Sequence, residues 1–281
     1  ACLKAGNNID ESITYLNKAI DHKPEYAEAL INRGMIRLSM GQKVNALIDL
    51  EKAHKIKPHI KQIWDLVIEL EIEFKNFDVA ISLLDNIIKS NPNIAKYFLY
   101  LAHSYRGLQK YNEAVDAFKN AITINPDLAD AHNNLGVTLK DQGKLQEAID
   151  AFKNAITINP DLADAHNNLG VTLKDQGKLQ EAIDAFKNAI TINPDLADAH
   201  NNLGVTLKDQ GKLQEAIDAF KNAITINPDL ADTHNNLGVT LRDQGKLQEA
   251  VDAFKNAITI NPDLADAHNN LGVTLKDQGK Y

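Results

Sequence analysis

Residues 129–162 read ADAHNNLGVTLKDQGKLQEAIDAFKNAITINPDL, and a stretch of the same 34 residues begins again at Ala163, Ala197 and Ala231. The copies from 163 and 197 match the first throughout. The copy from 231 differs only at Thr233, Arg242 and Val251, where the others carry Ala, Lys and Ile. A fixed period of this length marks a repeat architecture, in which each unit is one supersecondary element stacked on the next. Stepping back by the same period finds weaker copies at 95–128, 61–94 and 27–60, in phase at Pro126, Pro92 and Pro58. Residues 1–26 and 265–281 are then partial units. The sequence therefore predicts a single all-α solenoid over 1–281, a piece of a longer array cut within a repeat at both ends.

Each unit is expected to hold two antiparallel helices. Asp127, after Pro126, is placed to cap the first, with Asp130 three residues on. Gly143 suits the left-handed residue that ends it. The second helix is expected from about Lys144 until Asn159-Pro160, where proline stops the ladder. On the first helix His132, Leu135, Gly136 and Leu139 share one face, and Asp130, Asn133, Asn134, Val137, Lys140 and Asp141 share the opposite one. The second helix carries an apolar stripe of Leu145, Ala148, Ile149, Phe152, Ala155 and Ile156. Such a pair cannot bury its stripes alone and must stack on its neighbours.

Leu135-Gly136, Leu139, Ala148, Phe152 and Pro160 form a pattern that resembles the tetratricopeptide repeat family, and the resemblance covers essentially the whole chain. His132 stands where that family prefers Trp, and Leu139 where it prefers Tyr. Trp64 holds the Trp position of its own unit, which has Ile68 and Lys75 in place of the small residue and the glycine. The resemblance implies a right-handed superhelical solenoid of antiparallel helix pairs. It also implies that the first helices line a concave surface and turn the Asn133 face towards a protein partner.

Little in the sequence points to catalysis. Residues 129–280 contain no Ser, Cys or Tyr, so a nucleophile would have to be Thr, Asp or Lys, and none has a base at a telling spacing. Gly136 and Gly143-Lys144 are a poor phosphate loop, with six residues between the glycines and Leu145 where Ser or Thr must bind the metal. His132, His166, His200, His234 and His268 recur once per unit. Helices pack roughly 8–10 Å apart, whereas a zinc–nitrogen bond is about 2.0–2.1 Å. Packing and hydrogen bonding are therefore expected of these histidines, and neither a metal nor a cofactor.

The lone cysteine, Cys2, excludes a disulfide scaffold and fits a reducing, cytoplasmic setting. The net charge of −8 argues against nucleic acid or an anionic membrane as partner, and no apolar run approaches the roughly 18 residues of a bilayer span. That charge follows the duplication, because each uniform unit carries five acidic and three basic residues.

The adjacent asparagines are the strongest functional lead. Asn costs a helix up to about 0.7 kcal/mol relative to Ala, so two in mid-helix in every unit need a reason. An amide can pair with the N–H and C=O of a peptide whatever its side chains. Asn134, Asn168, Asn202, Asn236 and Asn270 would form an inner ladder, flanked by Asn133, Asn167, Asn201, Asn235 and Asn269. This is similar to the ladder that holds extended peptide in the superhelical repeats of O-linked N-acetylglucosamine transferases. The divergent units offer Ile31, Met35, Leu38, Leu66, Leu99, Tyr100, His103 and Arg106 at inward positions, an apolar and aromatic lining with one cation, suited to selectivity. A carboxylate clamp of the chaperone-adaptor type is not expected, because the matching positions of the uniform units are Asp, Asn and Val. Three functions remain open: a non-enzymatic scaffold that binds extended protein segments, the substrate-recruiting arm of a larger enzyme such as a glycosyltransferase, and a structural solenoid that associates end to end.

Overall fold

The computed structural model describes residues 2–279, so Lys280 and Tyr281 of the last partial repeat lie outside the described residues. The chain divides into two compact units, Ala1–Pro126 and Asp127–Tyr281. The first contains α1 (Cys2–His22), α2 (Ala27–Ser39), α3 (Lys43–Ile56), α4 (Lys61–Glu73), α5 (Phe77–Ser90), α6 (Ala95–Gly107) and α7 (Tyr111–Ile124). The second contains α8 (Ala129–Asp141), α9 (Leu145–Ile158), α10 (Ala163–Asp175), α11 (Leu179–Ile192), α12 (Ala197–Asp209), α13 (Leu213–Ile226), α14 (Ala231–Asp243), α15 (Leu247–Ile260) and α16 (Ala265–Asp277). The fold is an all-α helical-repeat solenoid, with no strand among the described residues. In the second unit the first helix of each repeat packs on its own second helix, which packs in turn on the next first helix.

The contact that closes each pair is a phenylalanine lying on a glycine. A Cβ on Gly136 would stand 2.6 Å from Cε1 of Phe152, and the same clash would occur at Gly170–Phe186. Gly204–Phe220 and Gly238–Phe254 repeat it, and all four rings are fully buried. Heavy atoms do not approach so closely, so only glycine admits the ring at this depth. The first unit reaches closure with other pairs of residues at the corresponding positions, namely Gly34 and Leu50, Ile68 and Leu84, and Ala102 and Phe118, every one buried. It also carries a buried ionic anchor. Asp49, 2% exposed, accepts from Arg33 at 2.8 and 2.6 Å and from Arg37 at 2.6 Å, while Arg33 donates to Asn17 at 2.7 Å and so ties α1, α2 and α3 together.

Helix ends follow the sequence on one side and depart from it on the other. Gly143 adopts φ 75°, the left-handed residue expected after α8. The capping residue at the start of α8 is Leu128, with no side-chain cap, in place of the expected Asp127. The next turn in the unit shows the reason. Asp161 N–H donates to Asn159 Oδ1 at 3.1 Å, and Leu162 O accepts from Ala165 and His166 at 3.0 and 3.3 Å. The asparagine before the proline closes the turn with its amide, and a half-buried leucine begins the helix.

Lys75 and Gln109 occupy the position of Gly143 and hold φ 61° and 59°. A side chain in that region is strained by about 1–2 kcal/mol, offset in part by the entropy that glycine adds to the unfolded chain. Lys75→Gly and Gln109→Gly are each expected to raise stability by about 0.5–1 kcal/mol in urea unfolding, and Gly177→Ala to lower it by a similar amount. A loss on introducing either glycine would contradict this.

Candidate functional site

On α8, α10, α12 and α14 the paired asparagines are half-buried. They bond from one repeat to the next. Asn168 Nδ2 donates to Asn133 Oδ1 at 3.1 Å, Asn202 to Asn167 at 3.1 Å, Asn236 to Asn201 at 3.4 Å and Asn270 to Asn235 at 3.0 Å. Asn134, the first rung of this unit, donates to the backbone O of Asp130 at 2.9 Å instead. Asn269 on α16 is exposed. Behind the rungs the buried Thr138, Thr172, Thr206, Thr240 and Thr274 donate to the carbonyl of each second asparagine at 2.7–2.8 Å. The lateral bond uses one N–H of the second asparagine and the carbonyl of the first. The other N–H and the Oδ1 of Asn168, Asn202 and Asn236 make no further hydrogen bond within the described residues. Beside these rungs lies a cleft of 380 Å³ whose walls include Asp198, Asn201, Asp232 and Thr233.

The histidines have a structural task. Nε2 of His166, His200 and His234 lies 3.0 Å from the carbonyl of Pro160, Pro194 and Pro228, and that of His268 lies 2.9 Å from Pro262 O. A carbonyl only accepts, so Nε2 carries the proton. Trp64 does the same at the corresponding place, its indole N–H donating to Pro58 O at 2.7 Å. His and Trp are thus alternative donors to the carbonyl of the proline that ends the preceding helix. Among the described residues no group of three or more His, Cys, Asp or Glu is placed to hold a metal ion.

In the first unit Ile31, Leu38 and Leu66 are half-buried against the apolar core, while Met35 is 47% exposed. Leu99 and Arg106 are half-buried, and His103 packs edge-on to Phe118 with centroids 5.6 Å apart. Tyr100 donates to the Glu69 carboxylate. Lys96 Nζ lies 3.0 Å from Asp65, 3.4 Å from Glu69 and 5.1 Å from the Tyr100 ring centre. Burial, and then the bond to Glu69, push the Tyr100 hydroxyl up to about 12. For Lys96 burial acts downward, but the contacts with Tyr100 and Asp65 outweigh it and raise the ammonium above its ordinary value. This stretch is therefore a charged network as well as the expected apolar and aromatic lining. Asp65, Glu69 and Lys96 fall at the repeat positions of Asn133, Val137 and Asp130, so their place was readable from the period. Their mutual pairing depends on the stacking of α6 on α4.

A family model described as TPR repeat matches residues 102–143, 138–177, 172–211 and 238–279, and models described as tetratricopeptide repeat match 197–230 and 219–252. No curated protein matches the chain. Among solved structures, YrrB, described as a TPR protein with an unusual peptide-binding site, is 23% identical over 66% of this chain and 96% of its own, with a TM-score of 0.55. MamA is 27% identical over 61% of this chain and 93% of its own, at a TM-score of 0.55. The Cut9–Hcn1 hetero-tetramer of the APC/C is 19% identical over 95% of this chain and 52% of its own, at 0.60.

Replacing His200 by Leu keeps an apolar filler but removes the donor to Pro194 O, and is expected to lower unfolding stability by about 1 kcal/mol. An unchanged midpoint in urea unfolding would show that this bond contributes nothing.

Proposed function

The chain belongs to the tetratricopeptide repeat family, and from that premise we propose that it is a non-catalytic scaffold which holds an extended segment of another protein. The observation that carries this reading is the row of amides on α8, α10, α12, α14 and α16. The rung-to-rung bonds fix the orientation of each amide, and the unused N–H and C=O of Asn168, Asn202 and Asn236 can then pair with a peptide backbone. Such contacts ignore side chains and tolerate varied sequence. Taken by itself, the first unit offers Ile31, Met35, Leu38, Leu66, Leu99, Tyr100, His103 and Arg106 as a lining suited to side-chain preference. The absence of Ser, Cys and Tyr from the uniform repeats fits binding without covalent chemistry. No helix among the described residues is long and apolar enough to cross a membrane. A recruiting arm of a larger enzyme would use the same contacts, and a catalytic domain in the same reading frame would favour it.

Replacing Asn168, Asn202 and Asn236 together by Ala is expected to weaken an interacting segment, found by pull-down, at least tenfold, and unchanged affinity would rule the ladder out.

A further inference from the structure

Identical rungs create a difficulty for a ladder of amides. A segment held only through its backbone binds equally well in registers one repeat apart, because specificity is a difference in affinity and identical units offer none. The repeat 231–264 breaks that equivalence. Two of its three substitutions, Thr233 and Arg242, lie on α14, and both touch ladder asparagines. The buried hydroxyl of Thr233 donates to Asn201 Oδ1 at 3.2 Å, sharing that carbonyl with Asn236, whose own contact is 3.4 Å against 3.0–3.1 Å at the other rungs. Arg242 Nη1 reaches Asn270 Oδ1 at 3.4 Å.

Arg242 is half-buried and forms no ion pair among the described residues, not even with its exposed neighbour Asp243. One long contact to a neutral amide leaves its charge unmatched and most of its N–H donors unused. The equivalent Lys140, Lys174, Lys208 and Lys276 extend the same positive edge, again without ion pairs. The first turns of these helices carry Asp130, Asp164, Asp198, Asp232 and Asp266, all exposed, so the other edge of the asparagine rows is acidic. Every cation of these first helices lies at the far edge, each beside an exposed aspartate such as Asp243, so only that edge offers an anion a partner. The guanidinium adds a planar fork that engages a carboxylate through two parallel bonds, which an ammonium cannot do.

Resting on the ladder reading above, we propose that Arg242 is a specificity-determining residue that receives a side-chain carboxylate of the bound extended segment and thereby fixes its register. Asn270 and Thr233 support it. The amide of Asn270 holds the guanidinium at the edge of the row, and Thr233 distinguishes the adjoining rung. The partner is an extended segment with a glutamate or aspartate at one fixed place and unrestricted side chains elsewhere along the amides.

The test uses two end-blocked peptides of alternating Ser, Thr and Ala, identical except for a central Glu or Gln. About 15 residues at ~3.3 Å each suffice to cross five rungs roughly 8–10 Å apart. Titration of the full chain is expected to favour the Glu peptide at least fivefold, and Arg242→Gln to cut that preference to twofold or less, the part owed to the lysines. Arg242→Lys restores the residue of the sister repeats and so retains the fold. A spin label on the Glu peptide is expected to broaden amide signals at one rung in the parent chain and at several in this variant. Equal affinities in the parent chain, or a Glu preference undiminished in Arg242→Gln, overturn the proposal. The ladder reading stands in that case if the triple asparagine variant weakens both peptides. Failure of both peptides to bind the parent chain overturns the ladder reading and the assignment together.

Discussion

Everything in the uniform repeats depends on a ring lying directly against a helix backbone. Phe152 is fully buried because Gly136 presents no Cβ, and the available separation of 2.6 Å leaves no room for one. An aromatic side chain buries roughly 150–250 Å², the largest apolar contribution a repeat of this composition makes. Only a close approach of the two helices brings the stripe of Ala148, Ile149 and Ala155 into contact with Leu135 and Leu139, all of which are buried. Because the interlock recurs at one spacing, the repeats share one helix-pair geometry. Their other faces then come into register as rows. The asparagine rows, the lysine edge and the aspartate edge are consequences of a contact made elsewhere on the same helices.

That dependence gives the asparagines a structural task and underlies the binding task proposed for them. Their low helix propensity is offset in part by bonds between rungs, such as Asn202 to Asn167 at 3.1 Å, which join neighbouring repeats across the polar face. The bonds also hold each amide in one orientation, so a peptide meeting the row would not have to order those side chains itself. The structural role and the proposed binding role are therefore coupled. A substitution at one rung removes a lateral bond as well as the proposed contact to a ligand. The first unit solves the same problem differently, with Lys96, Asp65, Glu69 and Tyr100 bridging neighbouring repeats through charge in place of amides.

Much of this was legible in the sequence. The 34-residue period gave the helix pairs, Gly143 gave the left-handed turn, and hydrogen bonding was expected of the histidines, whereas the same task for Trp64 emerges only from the folded chain. The helix start was misjudged because Asp127 had the right chemistry in the wrong place. In the turn before α10 the amide of Asn159 precedes the equivalent Asp161 and takes its backbone N–H, so the helix begins one residue later. The charged network around Lys96 was missed for another reason. Single-helix periodicity places residues on a face but cannot say which neighbour in the adjacent repeat they meet. Thr233 and Arg242 were visible as substitutions, yet their contacts with Asn201 and Asn270 exist only across stacked helices.

The side-chain amides themselves provide the most direct test. In an ¹⁵N-labelled chain the Nδ2 signals of Asn168, Asn202 and Asn236 can be followed while a bound protein segment is titrated in. If the rows hold peptide, these signals and the backbone amides of α10, α12 and α14 shift together and saturate at one stoichiometry, while α11, α13 and α15 stay in place. Shifts confined to the second helices, with the asparagine amides unmoved at saturation, would contradict a groove built on this ladder.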